Sequence, residues 1–225
     1  MKIILIFDFD GVLYTSINEP LLSSIEALGL KSPTIIDKRK YLSKKGVIAS
    51  IKDLYEFIKE IRNIDTDLET FKKKLFAYRK KVSTSMKYQN NFSKTPILLL
   101  LKLLKNRIKC FIVTSRDIST VKELLKKDDI LNCDIYSSSE LNSSKKEIIN
   151  KLLKENSFGI FVDDMKKNLT LINKNNTQPI HKINHKNKLI NVLFSYQCSF
   201  KILIAIISFY LRKIKIGNNI FREYL

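Results

Sequence analysis

Residues 3–7 form an unbroken apolar run, Ile3-Ile4-Leu5-Ile6-Phe7, that passes directly into Asp8-Phe9-Asp10-Gly11. A run this short and this uniformly apolar reads as a β-strand buried on both faces, which requires layers packed against either side of a sheet. The chain therefore leaves a core straight into two carboxylates and a glycine. Carboxylates one residue apart repel each other unless a cation lies between them, and in open α/β sheets ligands gather at the carboxyl edge of the strands. A divalent metal is the natural partner of such an edge. Residues 8–11 alone also fit a strand closing in an Asp-Gly turn, so the rest of the chain must decide.

Three further apolar runs end in polar or acidic residues. Residues 110–113 lead into Thr114-Ser115-Arg116-Asp117, Ile135-Tyr136 leads into serines 137–139, and residues 159–162 lead into Asp163-Asp164. Helical spacing lies between them: Pro96 opens a leucine-rich segment, and Val121, Leu124 and Leu125 share one face of residues 120–127. Strands alternating with helices predict a parallel sheet. Between the first two strands lies far more chain than one crossover helix requires. That stretch reads as helical at 17–28, 48–61 and 68–81, with turn signals at Gly29, Ser32-Pro33, Gly46 and 63–65. A length of 225 residues accommodates a core carrying such an insertion. The expected architecture is α/β: a Rossmann-like parallel sheet core from residues 1–14 and 94–187, an inserted α-helical cap over 15–93, and a basic, hydrophobic C-terminal helical extension over 188–225.

The formal net charge is +19, but Lys is abundant alongside Ile and Asn, a general compositional bias that would raise Lys without an anionic partner. Basic runs at 72–74 and 79–81 read as solvated helix faces, and with no recognised reading motif a nucleic-acid partner is not expected. After Asp164 the only acidic residue is Glu223. There, the apolar stretch 202–211 is flanked by Lys201 and by Arg212, Lys213 and Lys215, while Asn191, Gln197 and Lys201 break up any longer membrane span. This segment is expected to pack on the sheet or at a homodimer contact; the alternative is an interfacial helix making peripheral contact with an anionic membrane. Cys110, Cys133 and Cys198 are widely spaced and odd in number, which favours free thiols and a cytoplasmic location. Residues 1–7 are too short for the apolar part of a secretion signal, and Asp8 and Asp10 interrupt it. His181 and His185 would pair on a metal only if helical, and Pro179 and Asn184 favour a loop or strand, so no zinc site is expected.

Asp8-Phe9-Asp10-Gly11-Val12-Leu13, Val113-Thr114-Ser115, Ser144-Lys145 and Phe161-Val162-Asp163-Asp164 stand in the order and approximate spacing of the four motifs of the haloacid dehalogenase superfamily. Over about residues 1–180 the chain resembles that superfamily's phosphatase and phosphomutase members, including the β-phosphoglucomutase and phosphoglycolate phosphatase relatives. The resemblance implies that Asp8 is a nucleophile passing through an aspartyl-phosphate, and that Asp10 protonates the leaving oxygen and later deprotonates a water. It implies a Mg²⁺ site drawn from Asp8, Asp10, Asp163 and Asp164, with Asp164 the principal ligand and Asp163 orienting the site or binding through water. Thr114 and Lys145 would hold the phosphoryl oxygens, with Ser115 and Gly11 as further substrate-binding positions. Members that keep the second Asp act on phosphate esters, whereas the dehalogenase and phosphonate-cleaving members lack it.

This fits the chemistry, because phosphate esters resist hydrolysis until their oxygens are neutralised and a nucleophile is held in line. Lys146 rivals Lys145 by one position of register. Departures from the family pattern touch supporting geometry: the prolines common after the lysine are missing, and Ile97 follows Pro96 where Gly is usual. Residues 42–46 fall where the relatives carry a substrate-selecting loop. Lys40, Lys44 and Lys45 are expected in the cap loop facing the site, where they would meet a second anionic group on a small phosphorylated substrate. The expected activity is a Mg²⁺-dependent phosphatase of a small phosphorylated metabolite. The alternatives are a phosphomutase of the same fold, or a non-catalytic protein docking on membrane or nucleic acid.

Overall fold

The computed structural model describes residues 2–164, apart from 17, 45–47, 49, 107, 131–132 and 154–156, together with 188–193. In chain order the elements are strands β1 (Lys2–Phe7) and β2 (Tyr14–Ser16), then helices α1 (Glu19–Ala27), α2 (Ile35–Lys44), α3 (Ile51–Arg62), α4 (Leu68–Val82) and α5 (Met86–Gln89). Strand β3 (Phe92–Lys94) and helix α6 (Pro96–Leu104) follow, then β4 (Lys109–Thr114), α7 (Ile118–Lys127), β5 (Asp134–Ser137), α8 (Lys145–Leu152), β6 (Ser157–Asp163) and β7 (Lys188–Leu193).

The α/β architecture expected from the apolar runs is the one observed. Five strands pair in the order β5-β4-β1-β6-β7, every neighbouring pair parallel. Phe7 lies opposite Ile112 of β4 and Val162 of β6, so β1, β4 and β6 end together, at the edge where Asp8, Thr114 and Asp163 sit. From β1 the chain builds outward through β4 and β5, then returns to the other side of β1 as β6. The reversal of strand order opens a crevice between β1 and β6, the place where open α/β sheets bind ligands. On one face Ile4, Ile6, Phe111, Val113 and Phe161 pack against Ile148, Ile149 and Leu153 of α8 and the residue that follows it. Burying each such side chain contributes about 1.5–3 kcal/mol, so the strand ends rest on a firm platform.

Two corrections concern the elements. Lys188–Leu193, expected to begin a helical extension, is a strand that pairs in parallel with the free edge of β6. Its sequence carries Ile190 and Val192, β-branched residues that suit an extended chain. Residues 35–44 form helix α2, so Lys40 and Lys44 lie on a helix rather than in the expected loop, and Lys44 pairs with Glu60 at 2.7 Å in an exposed ion pair. Lys45, His181, His185 and residues 194–225 lie outside the described residues. No described helix is long and apolar enough to cross a membrane.

Between the antiparallel strands β2 and β3, helices α1 to α4 make a separate apolar cluster, with Leu21, Ile25, Ile58, Phe71 and Leu75 fully buried. Local chemistry frames α3 and α4. Ser50 accepts a hydrogen bond from the Asp53 N–H at the start of α3, and Asn63 ends it in the left-handed conformation that asparagine tolerates. Asp67 likewise accepts from the Thr70 N–H at the start of α4. The β2–β3 ribbon, which no apolar run announced, carries the chain out to these helices and back.

Candidate active site

Asp8 follows directly on β1 and is only 4% exposed, held by its own N–H donating to the Val162 carbonyl at 2.9 Å. The Phe9 N–H donates to Asp8 Oδ1 at 2.8 Å, leaving Oδ2 to Lys145 Nζ at 2.7 Å. Lys145 Nζ also lies 3.3 Å from Oδ2 of the fully buried Asp163. Of the two rival lysines, Lys145 is therefore the one that reaches Asp8. It opens α8, where Ser144 and Glu147 form a reciprocal capping box that fixes the helix start. A helix N-terminus disfavours a cation, so Lys145 depends on the carboxylates facing it.

Asp8, Asp163 and Asp164 each offer an oxygen within 4.8 Å of the others. Three carboxylates against one ammonium leave a net charge of two negatives, the charge a divalent cation would match. The proton affinities express the same excess. Burial pushes the Asp8 carboxyl well above the usual carboxylate range, Asp163 and Asp164 push it further, and Lys145 only partly opposes them. Asp164 is pushed up to about 6, first by burial of its carboxyl and then by Asp163, although the residue as a whole is exposed. Burial works against the Lys145 ammonium, yet Asp8 and Asp163 outweigh it and hold its pKa above the ordinary lysine value. The donor set is all oxygen, which suits a hard cation such as Mg²⁺.

Asp10 departs from expectation. Its carboxylate is not one of the three that converge; it is gripped by Arg116, with Nη2 at 2.8 Å from Oδ1 and Nε at 3.0 Å from Oδ2. Arg116 Nη2 also donates to Glu19 Oε2 at 2.7 Å, and Glu19 accepts from Arg79 Nε at 3.0 Å, Tyr88 Oη at 2.7 Å and Ser23 Oγ at 2.7 Å. Arg116 and Glu19 are 3% and 1% exposed. Burial would raise the Glu19 carboxyl, but Arg116 and Arg79 outweigh it and hold it well below the usual range. The sequence motifs passed over Glu19 and Arg116, and Arg79, expected on a solvated helix face with Lys80 and Lys81, is instead 3% exposed and bound to Glu19, while the two lysines are exposed. The one signal was an arginine directly behind a buried strand, where a long cation stays only with a partner.

Thr114, at the end of β4, is completely buried; its Oγ1 accepts from the Arg116 N–H at 3.1 Å, leaving its own O–H to donate. Ser115 next to it is half-buried. Gly11 has φ +82°, and a Cβ built on it would fall within van der Waals overlap of Asp164. Of the expected site residues, Asp8, Lys145, Asp163 and Asp164 are thus brought together on one crevice, and Gly11 is pressed against Asp164.

The family model for haloacid dehalogenase-like hydrolases matches residues 5–172, most of the chain and every residue just described. The chain belongs to the haloacid dehalogenase-like hydrolases. Among solved structures with this fold is a haloacid dehalogenase-like hydrolase from Bacteroides fragilis, at 15% identity and a TM-score of 0.54, covering 86% of this chain and 98% of its own. CbbY from Rhodobacter sphaeroides, in complex with phosphate, aligns at 11% identity and a TM-score of 0.53 over 84% of this chain and 94% of that one. The hydrolase YfnB from Bacillus subtilis, bound to magnesium, aligns at 15% identity and a TM-score of 0.51 over 91% and 98%. No curated protein matches the chain. At these identities the likeness establishes the fold alone.

Proposed function

We propose that this hydrolase is a Mg²⁺-dependent phosphatase of a small phosphorylated metabolite, working through an aspartyl-phosphate on Asp8. The observation that carries the reading is the convergence of Asp8 with Asp163 and Asp164 within 4.8 Å, with Lys145 at 2.7 Å from Asp8. Asp8, Asp164 and, directly or through water, Asp163 would hold the ion, which when bound neutralises phosphoryl oxygens and lowers the repulsion between substrate and nucleophile. The phosphate and magnesium bound to the two bacterial relatives are in keeping with that assignment.

In the first half-reaction an Asp8 carboxylate oxygen attacks phosphorus, the ester P–O bond breaks, and the leaving oxygen takes a proton from the Asp10 carboxyl. In the second, a water attacks the same phosphorus, gives its proton to the Asp10 carboxylate, and the acyl-phosphate bond breaks to return Asp8 and release inorganic phosphate. The Thr114 hydroxyl and the Lys145 ammonium hold the phosphoryl oxygens through both steps, with Ser115 and the backbone at Gly11 beside them. The helices of residues 15–93 serve as a cap over the core of 1–14 and 94–187. Lys45 and the segment 194–225 keep the roles given above, a substrate anion contact and a packing or membrane contact.

The purified protein is expected to hydrolyse p-nitrophenyl phosphate with Mg²⁺ and to lose this with EDTA. Asp8→Asn should fall by about 10³-fold or more, the loss typical of a removed nucleophile. Wild-type turnover by folded Asp8→Asn would overturn covalent catalysis at this residue.

A further inference from the structure

The buried charge ladder beside Asp10 lies outside the three-carboxylate centre. From the site inward it runs Asp10, Arg116, Glu19 and Arg79, and ends with Asp117 Oδ2 at 4.0 Å from Arg79 Nη1. Arg116 comes from the loop after β4, whereas Glu19, Arg79 and Tyr88 belong to α1, α4 and α5 of the helical insertion. Buried ion pairs rarely stabilise a fold more than apolar side chains of the same volume, so stability alone does not account for this ladder. What it does provide is geometry. A guanidinium bound through Nε and Nη2 fixes both the position and the plane of a carboxylate, and Asp10 is otherwise 38% exposed on a loop with free side-chain torsions. Arg116 is in turn fixed from behind by Glu19, which uses both oxygens on donors from Arg116, Arg79, Tyr88 and Ser23.

We infer that Glu19 is a positioning residue for the phosphatase reaction: through Arg116 it aims the Asp10 carboxyl at the leaving oxygen of the substrate. The inference rests on the role given to Asp10 above. Without Glu19, Arg116 loses its rear anchor and Asp10 its fixed plane, while Asp8, Lys145, Asp163 and Asp164 keep their contacts. The damage therefore falls on proton delivery and spares phosphoryl capture. An ester whose leaving group departs as a stable anion needs little proton delivery, and one whose leaving group is strongly basic needs much.

The test is the dependence of kcat/KM on leaving-group basicity across p-nitrophenyl, 4-methylumbelliferyl and phenyl phosphate, with Mg²⁺ saturating. Wild type is expected to show a shallow dependence and Asp10→Asn a steep one. Glu19→Gln should follow Asp10→Asn, losing about 3-fold on p-nitrophenyl phosphate and about 100-fold or more on phenyl phosphate, within the range general acid catalysis supplies. Should Glu19→Gln fail to fold, Arg116→Lys carries the test, since it keeps the charge but cannot grip Asp10 and Glu19 together; the same steep dependence is expected. A uniform loss, or none, in these variants beside a steep Asp10→Asn overturns the positioning role and leaves the phosphatase reading standing. A shallow dependence in Asp10→Asn itself overturns the role of Asp10 and the inference with it.

Discussion

A Cβ placed on Gly11 would lie 1.9 Å from Oδ2 of Asp164 and 2.3 Å from its Cγ. The glycine after the paired aspartates thus makes room for a carboxylate arriving from a different strand, and its φ of +82° is one that other residues resist. Gly11→Ala should push Asp164 away from Asp8, raise the Mg²⁺ concentration for half-maximal activity and lower kcat/KM by about 100-fold, the scale of a misplacement near 1 Å. Activity against Mg²⁺ concentration measures both. An unchanged metal requirement would mean that Asp164 is not a ligand.

Lys145 and Lys146 are neighbours in sequence with different surroundings, and substituting each separates them. Lys145→Ala leaves Asp8 and Asp163 without their shared ammonium and removes a cation aimed at the phosphoryl group, so kcat is expected to fall by about 100-fold or more. Lys146→Ala should stay within about two-fold, as surface substitutions commonly do. Equal losses in steady-state assays would show that charge at the helix start matters and position does not.

The elevated Asp164 carboxyl gives stability a pH dependence when no divalent cation is present. Its pKa of about 6 in the fold exceeds that of an unfolded aspartate, so the folded state binds the proton more tightly, and this contribution is lost as pH rises through about 6. In EDTA, Asp164→Asn should therefore raise Tm at pH 8 and change it little at pH 5. Saturating Mg²⁺ should raise the wild-type Tm at pH 8 and raise that of Asp164→Asn much less. Thermal unfolding at the two pH values, with and without Mg²⁺, checks the sign.

Much of the core was legible in the sequence because buried parallel strands are written as short apolar runs with their chemistry at the carboxyl end. Asp8, Thr114 and Asp163 could be put on one edge from such runs alone. Lys145 was legible only by resemblance, since a lysine at a helix start carries no local mark of the carboxylates it will meet. Of the ladder only Arg116, directly behind a buried strand, carried a local mark; Glu19 is 97 residues from Arg116 and 60 from Arg79, and nothing local marks a buried carboxylate whose partners are that remote. Strand β7 escaped for a similar reason, because whether 188–193 extends or coils is decided by the unpaired edge of β6.

Phe71 measures how far the helical insertion holds itself together. It is fully buried beside Tyr55, with ring centroids 5.5 Å apart, in a cluster supplied by residues 21–76. Phe71→Ala should cost about 3–5 kcal/mol, the usual range for emptying such a site, and should be seen as a lower urea midpoint. Because Arg79 lies further along the same helix, the variant should also steepen the leaving-group dependence of kcat/KM if the insertion supports Asp10. A large loss of stability with an unaltered leaving-group dependence would separate the two.

Glu19 supplies the acid limb of the stability profile. Burial would raise its carboxyl, Arg116 and Arg79 more than reverse this, and the folded pKa lies well below that of the unfolded chain, which is about 4.3. The folded state therefore favours the ionised form, and the resulting stability is fully present above about pH 4.3 and is lost as pH falls toward the folded value. Glu19→Gln cannot titrate and at pH 7 leaves two buried arginines short of a partner, a loss of about 3 kcal/mol. The difference in unfolding free energy between wild type and Glu19→Gln should consequently be largest near neutrality and shrink between about pH 5 and pH 3. Urea unfolding of both proteins across that range measures the difference directly. Other carboxylates titrate in both proteins and cancel, so a gap that stays constant would mean that Glu19 is not the ionised centre of the ladder.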